Sequence, residues 1–176
     1  MKQVFITLAA LVLATALKAD AGPSQESADG KVLDKWLGVW KFHAVLKPAA
    51  WSLKAQELSG SSTAEWILDG HFQQISSQGD AHGTREIHRY DAESKQYHKW
   101  TFDSDGGHSF WIGAWDEASS TMTWEYVDFG FGLKGKMVDR FISDGKYEST
   151  LLLKDSTGNV LLDIQSEHTR TKEQPR

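Results

Sequence analysis

The 176-residue chain is long enough for one domain with a sizeable core, and its 40% hydrophobic and 24% charged content is that of a globular protein, not a disordered one. Nineteen Lys and Arg against 24 Asp and Glu give a net charge of −5 with no basic cluster, which argues against binding to nucleic acid or an anionic membrane. The complete lack of Cys excludes disulfides, thiolate nucleophiles, iron–sulfur clusters and Cys zinc sites.

At the N-terminus, Met1-Lys2-Gln3 is a short basic start and Val4 to Leu17 is an apolar run. Ala19-Asp20-Ala21 then places small residues where a signal peptidase reads. Residues 1–21 are therefore expected to be a signal peptide, and the protein periplasmic or secreted. An uncleaved anchor is the alternative, although the 14 apolar residues fall short of the roughly 20 a membrane span needs. No later stretch approaches that length. Loss of Lys2, Lys18 and Asp20 leaves a net charge of −6.

Residues 22–34 read as a flexible leader, polar and Gly/Pro/Ser-bearing up to Gly30. Leu33, Trp36 and Leu37 at helical spacing predict a short helical turn over 31–37. The folded domain is expected over 35–171, with 172–176 as a tail.

From residue 38 the chain breaks into short segments separated by turn chemistry. Asp69-Gly70, Asp91 to Ser94, Asp105-Gly106-Gly107, Asp116 to Ser120, Asp144-Gly145 and Asp155 to Gly158 are the punctuation. Asp-Gly suits tight hairpins, whose central positions need positive φ. The segments predict ten strands, at 38–46, 62–69, 71–78, 84–91, 95–102, 108–115, 120–127, 134–143, 146–154 and 159–170. The 48–60 stretch, with Pro48 and Gly60, reads as the longest connection and as a lid or helical insert.

Ten sequential strands in an open sheet would expose two edges; closing them into an up-and-down barrel removes both. The expected fold class is thus all-β, a single antiparallel up-and-down barrel. A two-sheet sandwich is the alternative. A barrel of this size tends to enclose a cavity.

Period-two alternation gives a provisional interior. It comprises Trp40, Phe42, Ala44 and Leu46; Trp66 and Leu68; His98, Trp100 and Phe102; Phe110, Ile112 and Ala114; Met122, Trp124 and Tyr126; and Val160, Leu162 and Ile164. The facing of 84–91 is open, and in 108–115 Trp111 and Trp115 occupy the opposite face from Phe110. The expected cavity lining is Trp66, His88, His98, Trp100, Phe110, Trp124, Tyr126 and His168, a mostly aromatic pocket with few polar groups. A filled aromatic core is the alternative.

Seven His invite a metal search, but they form no His-Glu-x-x-His and no tight His-x-His pair, so no metal ligand is assigned. Asp103 to His108 resembles the start of a calcium loop, but Ala114 stands where a bidentate Glu is needed, and a hairpin turn accounts for it. No nucleophile motif is present, and Glu65, Glu86, Glu125, Glu148 and Glu167 read as solvent-facing strand residues. No catalytic residue and no cofactor is assigned. Arg170, inside the barrel, would either take a ligand carboxylate or cover the Trp40 indole through a cation–π contact.

Gly38-x-Trp40 on the first strand, with Arg170 near the end of the last, resembles the structural signature of the calycins, which include the lipocalins. Leu68 to Phe72, Arg89-Tyr90-Asp91 through Asp103, Gly113 to Asp116 through Trp124, and Glu167 to Arg170 resemble the bacterial DUF1579 family of unknown function. This resemblance spans about 35–170 and implies a lipocalin-like barrel that binds a hydrophobic ligand. It also implies that Gly38, Trp40 and Arg170 close the barrel. Compared with nitrobindin-like haem barrels the chain departs, since Lys41 and Phe42 stand in place of a glycine-rich continuation.

The expected function is thus an exported, monomeric barrel holding a small hydrophobic or amphipathic molecule, with no nucleic-acid partner and no membrane span. The alternatives are a haem- or metal-dependent enzyme using inward His, and an interaction module presenting Trp111 and Trp115.

Overall fold

The computed structural model describes residues 23–80 and 82–171. The expected signal peptide and the 172–176 tail lie outside the described residues. Ten antiparallel strands follow one another: β1 (Gly38–Leu46), β2 (Gln56–Ile67), β3 (Phe72–Gly79), β4 (Gly83–Asp91), β5 (Gln96–Asp103), β6 (His108–Asp116), β7 (Thr121–Tyr126), β8 (Lys134–Ser143), β9 (Lys146–Lys154) and β10 (Val160–Arg170). Each strand pairs with its sequence neighbour, and β1 pairs with both β2 and β10, so the sheet closes into a barrel without free edges.

The turns follow local chemistry. Leu68, Asp69 and Gly70 all have positive φ, giving the tight reversal between β2 and β3 that Asp-Gly predicts. Leu68 is therefore a turn residue, 67% exposed, and not an interior one. The expected lid over 48–60 is smaller than its composition implies. Residues 56–60 already belong to β2, with Leu46 opposite Gln56 and Phe42 opposite Gly60. Gln56-Glu57-Leu58-Ser59-Gly60 carries little apolar alternation, so only its pairing with β1 makes it a strand.

One end of the barrel is plugged by the segment that composition assigns to a leader. A 3-10 turn (Ser24–Glu26) leads into a 3-10 helix (Gly30–Trp36). A three-residue repeat eclipses side chains in a 3-10 helix, so Leu33 and Trp36 point together into the barrel, both fully buried. Trp40 Nε1 donates to the Trp36 carbonyl at 2.6 Å and Gln73 Nε2 to the Leu33 carbonyl at 2.6 Å. Tyr90 and Tyr97 hydroxyls both donate to Asp29, and Trp66 Nε1 donates to Asp34. The plug is thus fastened by hydrogen bonds from five strands.

Arg170 locks the seam at this end. Its guanidinium lies 4.4 Å from the Trp40 ring, and it donates to the carbonyls of Lys35, Leu37 and Asp144. Of the two roles that the sequence leaves open for Arg170, this is the cation–π one. Gly38, at φ +95°, lets the chain turn from plug to strand beside that guanidinium.

The interior departs from the expected faces on two adjacent strands. On β5 the buried residues are Tyr97 and Lys99, and on β6 Trp111 and Gly113. His98, Trp100 and Phe102 therefore face outward, as do Phe110, Ile112 and Ala114. Trp111, expected at the surface, is core, and Trp115 packs against the core. The cause is packing against β7. Gly113 lies opposite Trp124, and a Cβ there would come within 2.5 Å of the indole, so only glycine lets Trp124 lie flat inside the barrel. His98, Trp100 and Phe110 form an aromatic cluster on the outer face, with Trp100 stacked on Phe110 at 5.0 Å. No helix among the described residues is long and apolar enough to cross a membrane.

Candidate functional site

The barrel is filled unevenly. On the β6–β8 side, Trp111, Met122, Trp124 and Met137 pack solidly. Beside this packing, two hollows adjoin inside the barrel. The outer one, about 230 Å³, opens at the unplugged end and is lined by Phe42, Ala44, Leu58, Gly79, His82 and Thr84 among others. The inner one, about 80 Å³, is lined by Glu86, Lys99, Asp139, Tyr147, His168 and three serines, Ser62, Ser77 and Ser149, together with Trp36, Ile75 and Met137. Ser77 and His168 line both. A larger depression of about 810 Å³ lies outside the barrel around Asp144 and Arg170, where the guanidinium is already committed to backbone carbonyls.

Strand register builds the inner site. Glu86 and His88 are two apart on β4 and share the inward face; His88 lies opposite Lys99, placing Lys99 diagonal to Glu86. His88 Nε2 is 2.9 Å from Glu86 Oε2, and Lys99 Nζ is 3.8 Å from the same oxygen. Both His88 and Lys99 are 1% exposed. Lys99 Nζ also points at Met137 Sδ, 2.8 Å away, and sits over the Trp124 ring at 4.6 Å. Asp139, on β8, accepts the Trp124 Nε1 proton at 2.9 Å. Glu86 thus faces inward, against the expectation of a solvent-facing carboxylate, whereas Glu125, Glu148 and Glu167 pair with Lys136, Arg140 and Lys146 at the surface.

The charges settle accordingly. Burial pushes the Glu86 carboxyl up, but the Lys99 ammonium and the His88 hydrogen bond outweigh it and hold the group at about 2. Burial pushes His88 below the ordinary imidazole range, with Glu86 opposing. Burial likewise lowers His168 to about 4, against an upward pull from Asp139 and Glu86. Tyr147, stacked on His168 at 4.1 Å, is pushed well up by burial. At neutral pH both imidazoles are uncharged. A neutral His88 donating Nε2–H to Glu86 carries its lone pair on Nδ1, which has no partner among the described residues; His168 Nδ1 is in the same position.

Of the eight side chains that the sequence assigns to the cavity, the structure brings Trp66, His88, Trp124, Tyr126 and His168 to the interior. Trp66 is hydrogen-bonded to the plug, Tyr126 packs edge-on against Trp111, and the His88 and Trp124 rings lie 5.3 Å apart outside the lining of either hollow. His168 lines both hollows. His98, Trp100 and Phe110 are on the outer face, as given above. Sequence reasoning missed Glu86, Lys99 and Asp139, because ionic side chains on strands are assigned to solvent by default. The remaining signal was Glu86-Ile87-His88, whose facing the sequence left open. Among the described residues no group of three or more His, Asp or Glu is arranged to hold a metal ion.

No protein-family model and no curated protein matches the chain. Solved structures that share the fold include the following two. Rv2717c from M. tuberculosis is 11% identical with a TM-score of 0.64, over 83% of this chain and 99% of that one. A protein of unknown function from the DUF3598 family of Nostoc punctiforme is 9% identical with a TM-score of 0.50, over 79% of this chain and 49% of that one. The chain thus spans about half the length of the Nostoc protein. At these identities the likeness is one of fold.

Proposed function

We propose that this protein binds one small amphipathic molecule inside the barrel, with its apolar part in the outer hollow and its polar end in the inner one. One observation carries the reading: His168 and Ser77 line both hollows, so a ligand seated against Phe42, Ala44 and Leu58 has polar groups directly beneath it. The lipocalin-like resemblance of the chain ends supports the same role. The signal-like N-terminus supports export, which N-terminal sequencing of the purified protein checks by finding Gly22 as the first residue.

N-phenyl-1-naphthylamine, an apolar dye that brightens when shielded from water, tests the pocket. The dye is expected to bind at one molecule per chain. Ala44→Trp, which fills the outer hollow, should abolish that binding while circular dichroism shows the barrel intact. Undiminished fluorescence in the folded variant would refute the cavity reading.

A further inference from the structure

We propose that the inner hollow is a head-group site selective for an uncharged oxygen, a hydroxyl or carbonyl at the end of an aliphatic ligand. The inference rests on the cavity reading above and adds the chemistry of the bound end.

Lys99 carries three N–H donors into a buried place. The one acceptor within hydrogen-bonding distance among the described residues is the Met137 thioether, a weak one, while Glu86 Oε2 at 3.8 Å is beyond that reach. The faces of Trp124 and Trp111, 4.6 and 5.9 Å from Nζ, stabilise the charge but accept no conventional hydrogen bond. The ammonium lines the inner hollow, ion-paired to Glu86 at 3.8 Å but with no oxygen within hydrogen-bonding distance among the described residues. A ligand oxygen there supplies it. Ser62, Ser77 and Ser149 surround the same space, each able to donate or accept, so a hydroxyl or a carbonyl finds complementary partners.

Charge decides against ionic heads. The hollow holds two carboxylates, Glu86 and Asp139, and one ammonium. A carboxylate head would bring a third negative group into a hollow of about 80 Å³. An alkylammonium head would be desolvated beside the like charge of Lys99, in a hollow where Glu86 Oε2 already accepts from His88 and Asp139 Oδ2 from Trp124. A neutral oxygen meets the Lys99 donors and adds no charge.

Displacement of N-phenyl-1-naphthylamine by an eight-carbon series tests this at pH 7.5: 1-octanol, 2-octanone, octanoate and octylamine. The alcohol and the ketone are expected to displace the dye at concentrations at least tenfold below those of the two ions. In the double variant Lys99→Met with Glu86→Gln, which removes both charges together, octanol should lose about tenfold more affinity than the dye does. Equal displacement by all four compounds, stronger displacement by either ion, or a folded double variant that holds octanol as well as the parent would overturn the proposal. The head-group series on the parent protein stands whether or not the double variant folds. If the dye itself fails to bind, the cavity reading falls and this inference with it. If the dye binds and the heads are not distinguished, only this inference falls.

Discussion

At the scale of single residues, the molecule commits buried polar groups that a core would ordinarily exclude. His168 holds its neutral form down to about 4, against an ordinary 6.5, and Glu86 holds its charge down to about 2, against 4.5. For His168 the folded barrel refuses a proton that the unfolded chain accepts. Its contribution to stability is therefore complete above about pH 6.5 and shrinks as pH falls toward 4. For Glu86 the contribution is complete above about pH 4.5 and is lost toward pH 2. Both act in one direction, so acidification destabilises the protein in two successive stages. The limiting slope for one such group is about 1.4 kcal/mol per pH unit. Replacing His168 by Leu should flatten the first stage, between pH 6.5 and 4, leaving the share of His88. Urea midpoints at pH 7.5 and 5 measure this, and an unchanged pH dependence in the variant would show that His168 is not the group responsible.

Strands and turns show how much was legible before the structure. Hairpin turns are local events, and Asp69-Gly70, Asp144-Gly145 and Asp155 to Gly158 could be read because their chemistry is sufficient to bend the chain. Strand count and closure followed from them. Which face of a strand points inward is not local. On β5 the choice between His98 with Trp100 and Tyr97 with Lys99 depends on Glu86 and His88 across β4, and on the Trp124 indole beyond β6. An apolar count favours the wrong face, and it misses that a lysine can be held inside by a carboxylate and an aromatic face. Gly113 is the residue that registers the true arrangement, since its face must admit Trp124. Gly113→Ala is accordingly expected to cost about 1–3 kcal/mol through overpacking, with a Cβ 2.5 Å from the ring. Near-ultraviolet circular dichroism should report the displaced indole. A variant as stable as the parent, with an unaltered tryptophan signal, would contradict this account of the β6 facing.

For the whole molecule, the plug and the seam decide which end is open. The sequence pointed to the seam through Gly38, Trp40 and Arg170, and it signalled burial of Leu33 and Trp36 only by their spacing. It gave no sign that a Gly/Ser-bearing leader would fold beneath the barrel. Part of the reason is Gly30, where a Cβ would run into the Ser24 carbonyl, a constraint visible only once the segment has folded back. Arg170→Ala removes three hydrogen bonds to backbone carbonyls and the contact with Trp40, and is expected to cost about 3 kcal/mol. Arg170→Lys should recover little of it, because an ammonium cannot reproduce the fork that reaches Lys35, Leu37 and Asp144. Equilibrium urea denaturation separates the two variants, and full recovery by Lys would mean that charge alone holds the seam.

The pairing of β1 with β10 joins residues 40 and 170, nearly the full length of the described chain. Every other ladder is a hairpin between sequence neighbours and can form as its own strands meet. Closure must therefore wait for the last strand, and the loop it completes is the longest closed by any of the strand pairings. A contact formed after the rate-limiting barrier affects escape from the native state more than arrival at it. In stopped-flow experiments Arg170→Ala should consequently leave the refolding rate almost unchanged and accelerate unfolding, so that this one residue sets how long a closed barrel lasts and not how fast it is made.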